Sequence, residues 1–239
     1  MDCKNCGQPV TGKYCSECGQ PTHTERFTMR HLLKEVLHGF YHFEHGIFQT
    51  FRDLAQRPGP ALRDYLAGKR VGWYNAFTFI LVTGGIAGFV FTKFHWQSFF
   101  VDLGILRAGA INEERWEHTI SHFSLRLLLS IPLYAMVSFL LYRKTGYNFS
   151  EHLIANTYLR GEMNVFMLLL FPLDLLVRGG AWHQPVALLL AIGLLVYMGW
   201  ALNGVFGKKQ QLAGWTKGFI CALLSLSLEM LVVNAIAFQ

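Results

Sequence analysis

Five long runs of apolar residues occupy most of the C-terminal two-thirds of the chain. Each run approaches the ~20 residues that a helix needs to cross about 30 Å of hydrocarbon. The pattern therefore predicts five membrane-spanning helices, of which the third is the shortest. The predicted spans are residues 75–92, 125–142, 163–178, 186–206 and 218–238.

The segment before the first span has a different pattern. On a helix with 3.6 residues per turn, its histidines fall on one narrow face and its large apolar residues on the opposite face. This pattern is typical of an amphipathic helix that lies on a membrane surface or on the bundle. The polar face also brings Glu35, His38 and His42, with His31 beside them, to the spacing of a second metal site or of a proton-sensing cluster. All three interpretations stay open.

Composition agrees with a membrane protein. The chain has 52% hydrophobic and 15% charged residues, whereas soluble domains carry about 25% charged residues. Lysines and arginines are concentrated before the first span and in the loops after spans two and four. The positive-inside rule therefore places the N-terminus in the cytoplasm and the C-terminus outside. Lys69-Arg70 followed by Trp73-Tyr74 predicts an interface anchor that suits anionic lipids.

Four of the five cysteines form two copies of one short motif near the N-terminus, Cys3-x-x-Cys6-Gly7 and Cys15-x-x-Cys18-Gly19. Such turns direct two thiolates at one cation, and two of them complete a tetrahedral site. Four thiolates favour Zn(II), and a closed site of this kind is structural because it has no open coordination position. In the reducing cytoplasm, paired cysteines hold metal more often than they form disulfides.

Charged residues inside the predicted spans are candidates for function. Asp174 has Arg178 one turn later, and this spacing predicts an ion pair near the outer face. Glu229 has no partner on its own helix, but it lies at a depth that permits it to join this pair. A functional carboxylate and a structural buried pair are equally open for Glu229.

A resemblance rests on a set of motifs along the chain. They are the paired cysteine motifs, Glu35-x-x-His38-x-x-x-His42, Arg57-Pro58-Gly59, the stretch from Tyr65 to Arg70, Tyr74-Asn75 and Glu151-His152-Leu153. With these motifs the chain resembles an uncharacterised bacterial family of zinc-ribbon, multi-pass membrane proteins that is classed as a domain of unknown function. The resemblance implies a bacterial inner membrane, a zinc head and a multi-pass topology, but no activity. The five-span layout is also similar to the Yip family, at the level of architecture only.

These observations predict an all-α membrane protein with three parts: a zinc ribbon (1–24), amphipathic and juxtamembrane helices (25–72) and a five-helix transmembrane domain (73–239). The chain lacks the common nucleotide-binding and hydrolase motifs, so the leading hypothesis is a scaffold, sensor or interaction protein with a cytoplasmic protein partner.

Two other functions remain open. One is a transporter or channel that uses Glu229 and the histidine face. The other is a membrane metalloenzyme that uses Glu35, His38 and His42. Nucleic acid is disfavoured as a partner because no long basic run is interleaved with aromatic residues.

Overall fold

The computed structural model describes residues 1–29, 46–94, 123–207 and 212–237. These segments contain seven α-helices and no β-strand, and the N-terminal head holds only two isolated β-bridges. A 3₁₀ turn at Arg143–Thr145 follows the fourth helix. The helices are α1 (Ile47–Gln56), α2 (Pro58–Ala67), α3 (Ala76–Lys93), α4 (Phe123–Tyr142), α5 (Phe149–Val177), α6 (His183–Phe206) and α7 (Leu212–Ala237).

Three helices in the described part of the chain are long and apolar enough to cross a membrane, which indicates that the protein is associated with one. They correspond to α3, α4 with the 3₁₀ turn, and α6. The first of them begins at a well-defined cap, because the side-chain oxygen of Asn75 accepts hydrogen bonds from the backbone N–H groups of Phe77 and Thr78 at 3.0 and 3.2 Å. This bonding satisfies donors that have no partner inside the helix.

Helix α5 is the centre of the fold and contacts α1, α2, α3, α4 and α6. It begins at Phe149, so the predicted start of the third apolar helix at residue 163 was wrong by fourteen residues. The helix begins at Phe149 because Asn148 and Glu151 form a capping box. The Asn148 side chain accepts from the backbone N–H of Glu151 at 2.9 Å, and the Glu151 carboxylate accepts from the backbone N–H of Asn148 at 2.8 Å. Apolar patterning missed this half of the helix because it is rich in polar residues.

Helices α1 and α2 form a short hairpin that packs along the bundle. Helix α2 begins at Pro58, and a proline at the first position loses no helical hydrogen bond. Gly59 lies against Gly204 of α6 so closely that a Cβ on Gly59 would be 2.6 Å from the Gly204 backbone. The hairpin also receives a hydrogen bond from α6, from the Tyr197 hydroxyl to the backbone oxygen of Leu54, at 3.0 Å.

A cluster of aromatic rings joins the hairpin side of the molecule to α5. Tyr158 is fully buried, and its ring centroid lies 5.1 Å from those of both Tyr65 and Trp73. Its hydroxyl donates to the backbone oxygen of Tyr74 at 2.7 Å. Because these rings come from α2, α5 and the segment between α2 and α3, they fix the junction from which α3 begins.

Candidate metal centre and its seat on the helices

The four N-terminal cysteines lie together. Their sulfur atoms are all within 4.8 Å of one another. The Sγ atoms of Cys3 and Cys18 are 3.6 Å apart, and those of Cys6 and Cys15 are 3.5 Å apart. Four sulfurs at this separation can surround one metal ion, and a four-sulfur donor set fits zinc or iron.

The two cysteine motifs form turns with the same hydrogen bonds. The backbone N–H of Cys3 donates to Gln8 and that of Gly7 donates back to Cys3, at 2.8 and 2.9 Å. In the second turn, Cys15 and Gly19 repeat these bonds with Gln20 and Cys15, both at 2.9 Å. Gly7 and Gly19 adopt φ values of 77° and 72°, which only glycine adopts at little cost. The repeat in the sequence is therefore also a repeat in structure.

The thiols of the first turn differ in acidity. The backbone N–H of Cys6 stabilises the Cys3 thiolate and lowers the pKa of Cys3 to about 6. The backbone N–H of Gln8 acts on Cys6 in the same direction, but desolvation and the neighbouring sulfurs outweigh it and raise the pKa of Cys6 to about 12. Crowded thiols resist ionising together, and a cation at their centre removes that repulsion.

Among the described residues, Gln20 after the second turn makes the side-chain hydrogen bonds from the head to the end of α2 and the segment that follows it. Gln20 is 1% exposed, and its side chain donates to the backbone oxygen of Gly68 at 3.0 Å and accepts from the backbone N–H of Arg70 at 3.2 Å. The corresponding Gln8 of the first turn is exposed. Gly68 ends α2 with a φ of 109°, and a Cβ there would lie 2.6 Å from the Thr24 hydroxyl. Both the backbone conformation and the lack of space therefore favour glycine at this position.

The linker after the head is held by Lys4 of the first cysteine turn and by Arg70, which follows α2. The Lys4 ammonium donates to the backbone oxygen of Thr24 at 2.8 Å. Arg70 donates to the backbone oxygen of Glu25 at 2.8 Å, and its guanidinium lies 3.8 Å from the centre of the Phe27 ring. Arg70, which the sequence assigned to a lipid-facing anchor, thus contacts the linker in the structure.

A second set of contacts ties the linker to α5. Arg26 forms two hydrogen bonds with the Glu151 carboxylate, at 2.6 and 2.7 Å, and Glu151 raises the pKa of Arg26 above its ordinary value. Asn148 donates to the backbone oxygen of Phe27 at 3.0 Å. One short stretch of chain therefore connects the head to both α2 and α5.

Two ion pairs lie among the helices at the predicted intramembrane residues. Arg178 lies 3.1 Å from Asp174, which also faces His183 at 3.1 Å. Glu229 does not join this group. Its carboxylate lies 2.8 Å from Arg160 and accepts a hydrogen bond from the Tyr134 hydroxyl. The sequence did not indicate this partner, because Arg160 falls between the predicted spans 125–142 and 163–178, whereas the structure places it inside α5.

The predicted second site falls outside the described residues, since His31, Glu35, His38 and His42 all belong to the segment 30–45.

Sequence reasoning missed three residues that attach the head and its linker to the helices. Gln20 had a signal, because Gln-Pro follows both cysteine turns, and Glu151 had one, because Asn148-x-x-Glu151 is a capping-box pattern. Arg26 had none, since its partner is 125 positions away.

Comparison with known proteins finds a family match for one segment. Residues 44–88 match the model of the family DUF3667, a protein of unknown function. The expected resemblance to an uncharacterised family is confirmed for this segment. The DUF3667 segment contains α1, α2, the turn that binds Gln20 and most of α3. No curated protein and no solved structure matches the chain.

Proposed function

We propose that the chain is a non-enzymatic membrane scaffold or sensor in which a zinc-loaded head is presented to a partner protein in the cytoplasm. The observation that carries this proposal is the unequal use of the two cysteine turns. The second turn docks on the helices through Gln20, whereas the first turn leaves Gln8 and Pro9 exposed. A head that is fixed on one side and open on the other suits a protein that displays a binding surface.

Zinc is the proposed metal, with a structural role. The donor set is four thiolates, which zinc binds as a closed tetrahedron. A head of about two dozen residues has almost no apolar core, since its buried apolar cluster consists of Cys3, Val10 and Cys15. Metal binding must then supply most of its folding free energy. The proposed domains are the zinc ribbon (1–24), the juxtamembrane helices (25–72) and the transmembrane helices (73–239).

The proposed transmembrane domain has five spans. Helices α5 and α7 contain 29 and 26 residues, enough to cross a bilayer beside the three apolar helices. The distribution of lysine and arginine supports a cytoplasmic N-terminus and an outer C-terminus. The resemblance of the motifs to bacterial sequences supports the bacterial inner membrane.

Anionic lipid is the proposed second partner. A cleft of about 410 Å³ opens between the head, the linker and the start of α5. Lys4, Arg26 and Arg63 line it, with Glu25 and Glu151 as its acidic residues. Excess positive charge at a membrane surface attracts anionic headgroups.

Metal analysis of the full-length protein tests the proposal. We expect one zinc per chain, lost in Cys6→Ser. Cys221→Ser is the matched control, because Cys221 is buried in α7 away from the head, and it should keep the zinc. Cysteine-accessibility labelling in intact cells should find the head on the cytoplasmic side. Zinc retention in Cys6→Ser, or labelling of the head from outside, would contradict the proposal.

The alternatives are open to the same experiments. A metalloenzyme that uses Glu35, His38 and His42 predicts a second metal, lost in His38→Ala and His42→Ala. A transporter that uses Glu229 predicts ion flux in liposomes that Glu229→Gln abolishes. The ion pair of Glu229 with Arg160 supports a structural role for this carboxylate.

A further inference from the structure

Buried and partly buried carboxyl groups among the described helices are of two kinds. Three have cationic partners: Glu151 with Arg26, Asp174 with Arg178, and Glu229 with Arg160. Each pairing offsets the cost of removing a carboxylate from water. Glu162 of α5 is the exception among the described residues.

Glu162 is 0% exposed, and neither of its carboxyl oxygens has a hydrogen-bond partner in the described part of the chain. The surrounding helices explain this isolation. Next to it on α5, Gly161 lets the ring of Phe79 from α3 lie directly against the α5 backbone. Tyr197 of α6 is within electrostatic range of Glu162, but its hydroxyl donates to the backbone oxygen of Leu54.

Helix α1 covers the same region. The ring of Phe51 lies 6.3 Å from that of Phe166, one turn after Glu162 on α5, and Leu54 of α1 is fully buried. Together with α3 and α6, these contacts close the site to water. They place apolar groups around this turn of α5, and among the described residues Tyr197 of α6 is the titratable group within electrostatic range of Glu162.

An isolated carboxylate in such surroundings costs many kcal/mol, so the group takes up a cation. Hard cations such as Mg²⁺ and Ca²⁺ need about six oxygen ligands, and zinc needs several nitrogen or sulfur ligands. The described residues around Glu162 supply neither set, since its own two oxygens have no polar neighbour within hydrogen-bonding distance. A proton is the cation that needs only the carboxyl group itself.

We infer that Glu162 is a proton-binding site, a neutral carboxylic acid held between α5, α6 and the α1–α2 hairpin. Release of its proton leaves an uncompensated charge under the hairpin. The deprotonated protein must therefore open this region to water or admit another cation. Proton binding at Glu162 is thus linked to the position of the α1–α2 hairpin. The end of this hairpin, at Gly68, accepts the hydrogen bond from Gln20 of the metal-binding head.

Infrared spectroscopy of the full-length protein in lipid vesicles tests this assignment. At neutral pH we expect a carbonyl-stretching band of a protonated carboxylic acid, and we expect Glu162→Gln to lose it. Glu151→Gln is the matched control, because Glu151 lies on the same helix and is equally buried but is paired with Arg26. It should leave the band unchanged.

The wild-type spectrum is informative even where a variant fails to fold. Absence of a protonated-acid band at neutral pH would overturn the assignment without any substitution. So would a band that survives at full strength in folded Glu162→Gln. These outcomes are independent of the zinc content, so they leave the proposed function of the head untouched.

Thermal unfolding gives a second readout. The native protein holds a proton on Glu162 that an unfolded chain has released at neutral pH, so stability should fall as the pH rises. Glu162→Gln cannot release a proton there, and its unfolding midpoint should fall less than that of the wild type between mildly acidic and mildly alkaline pH. Equal pH dependence in the two proteins would contradict the inference.

Discussion

The two halves of α5 show that burial and apolar character do not coincide in this protein. In the first half, residues 149–162, nearly every side chain is buried, including those of His152, Asn156 and Glu162. In the second half, residues 163–177, leucines such as Leu169 and Leu176 are exposed. The more polar half is thus the more deeply buried one.

The difference follows from what surrounds each half. The first half contacts α2 through Tyr158 and Tyr65, α3 through Gly161 and Phe79, and α4 through His152 and Ser138, and protein groups bind many of its polar atoms. The His152 ring, for example, lies 2.9 Å from the Ser138 hydroxyl and stacks on Phe206 at 3.8 Å. The exposed leucines of the second half suit hydrocarbon as surroundings, because lipid tails are as apolar as leucine.

The largest effect is expected at Tyr158, where the first half of α5 contacts the aromatic cluster. Tyr158→Ala removes a fully buried ring and a hydrogen bond to Tyr74. We expect a loss of about 3–5 kcal/mol in the free energy of unfolding, measured by thermal or denaturant unfolding in detergent.

Tyr158→Phe is the control for this change. It keeps the ring and removes only the hydroxyl, so it should cost about 1–3 kcal/mol. Equal losses in the two variants would show that the hydrogen bond, and not the ring packing, holds this half of the helix.

A smaller effect is expected where the hairpin that covers this half approaches α6. Gly59→Ala would place a methyl group 2.6 Å from the Gly204 backbone. Backbone atoms cannot move aside easily, so we expect a loss of about 1–3 kcal/mol. Gly193→Ala on α6 is the control, because no atom lies within 4 Å of its added Cβ. It should be neutral or stabilising by up to about 1 kcal/mol.

The same contrast explains how much the sequence alone predicts. Apolar runs predict α3, α4 and α6 to within three residues at each end, because those helices are apolar along most of their length, whereas α7 begins six residues before the predicted start at residue 218. The first half of α5 was missed because a helix enclosed by protein can carry polar side chains wherever partners meet them. Those partners are on other helices and have no local sequence signal.

The metal centre also combines features that have a local sequence signal with features that have none. Its four ligands follow from local spacing, since each pair of cysteines is held within one tight turn. The docking of Gln20 on Gly68 and Arg70 joins residues 48 and 50 positions apart. Glu162 has no sequence signal either, because its distinguishing property is the absence of a partner among the described residues.

A third, smaller effect is expected at the link between the head and α5. Arg26→Ala removes both hydrogen bonds to Glu151. The Arg26 side chain is 57% exposed, so solvent screens the pair and we expect a loss of about 1 kcal/mol or less. Protease sensitivity of the linker at residues 22–28 should rise, and the difference from the wild type should shrink in high salt because salt already weakens the pair there.

Arg143→Ala is the control for this change, since Arg143 is also exposed but lies outside the linker contacts. It should leave the protease sensitivity unchanged. An equal rise in both variants would show that general surface charge, and not the pair with Glu151, fixes the linker.

The smallest effect is expected in the second half of α5. Leu176 is 83% exposed, so Leu176→Ala removes few contacts and should change the free energy of unfolding by no more than about 0.5 kcal/mol. Leu153→Ala, in the buried first half at 8% exposure, should cost about 2–5 kcal/mol. Thermal unfolding of the two variants in the same detergent compares the halves of one helix with one chemical change. If the two variants lost a similar free energy of unfolding, other protein chains would have to cover the second half of α5. Neither lipid nor detergent can supply the packing that a buried leucine has in protein.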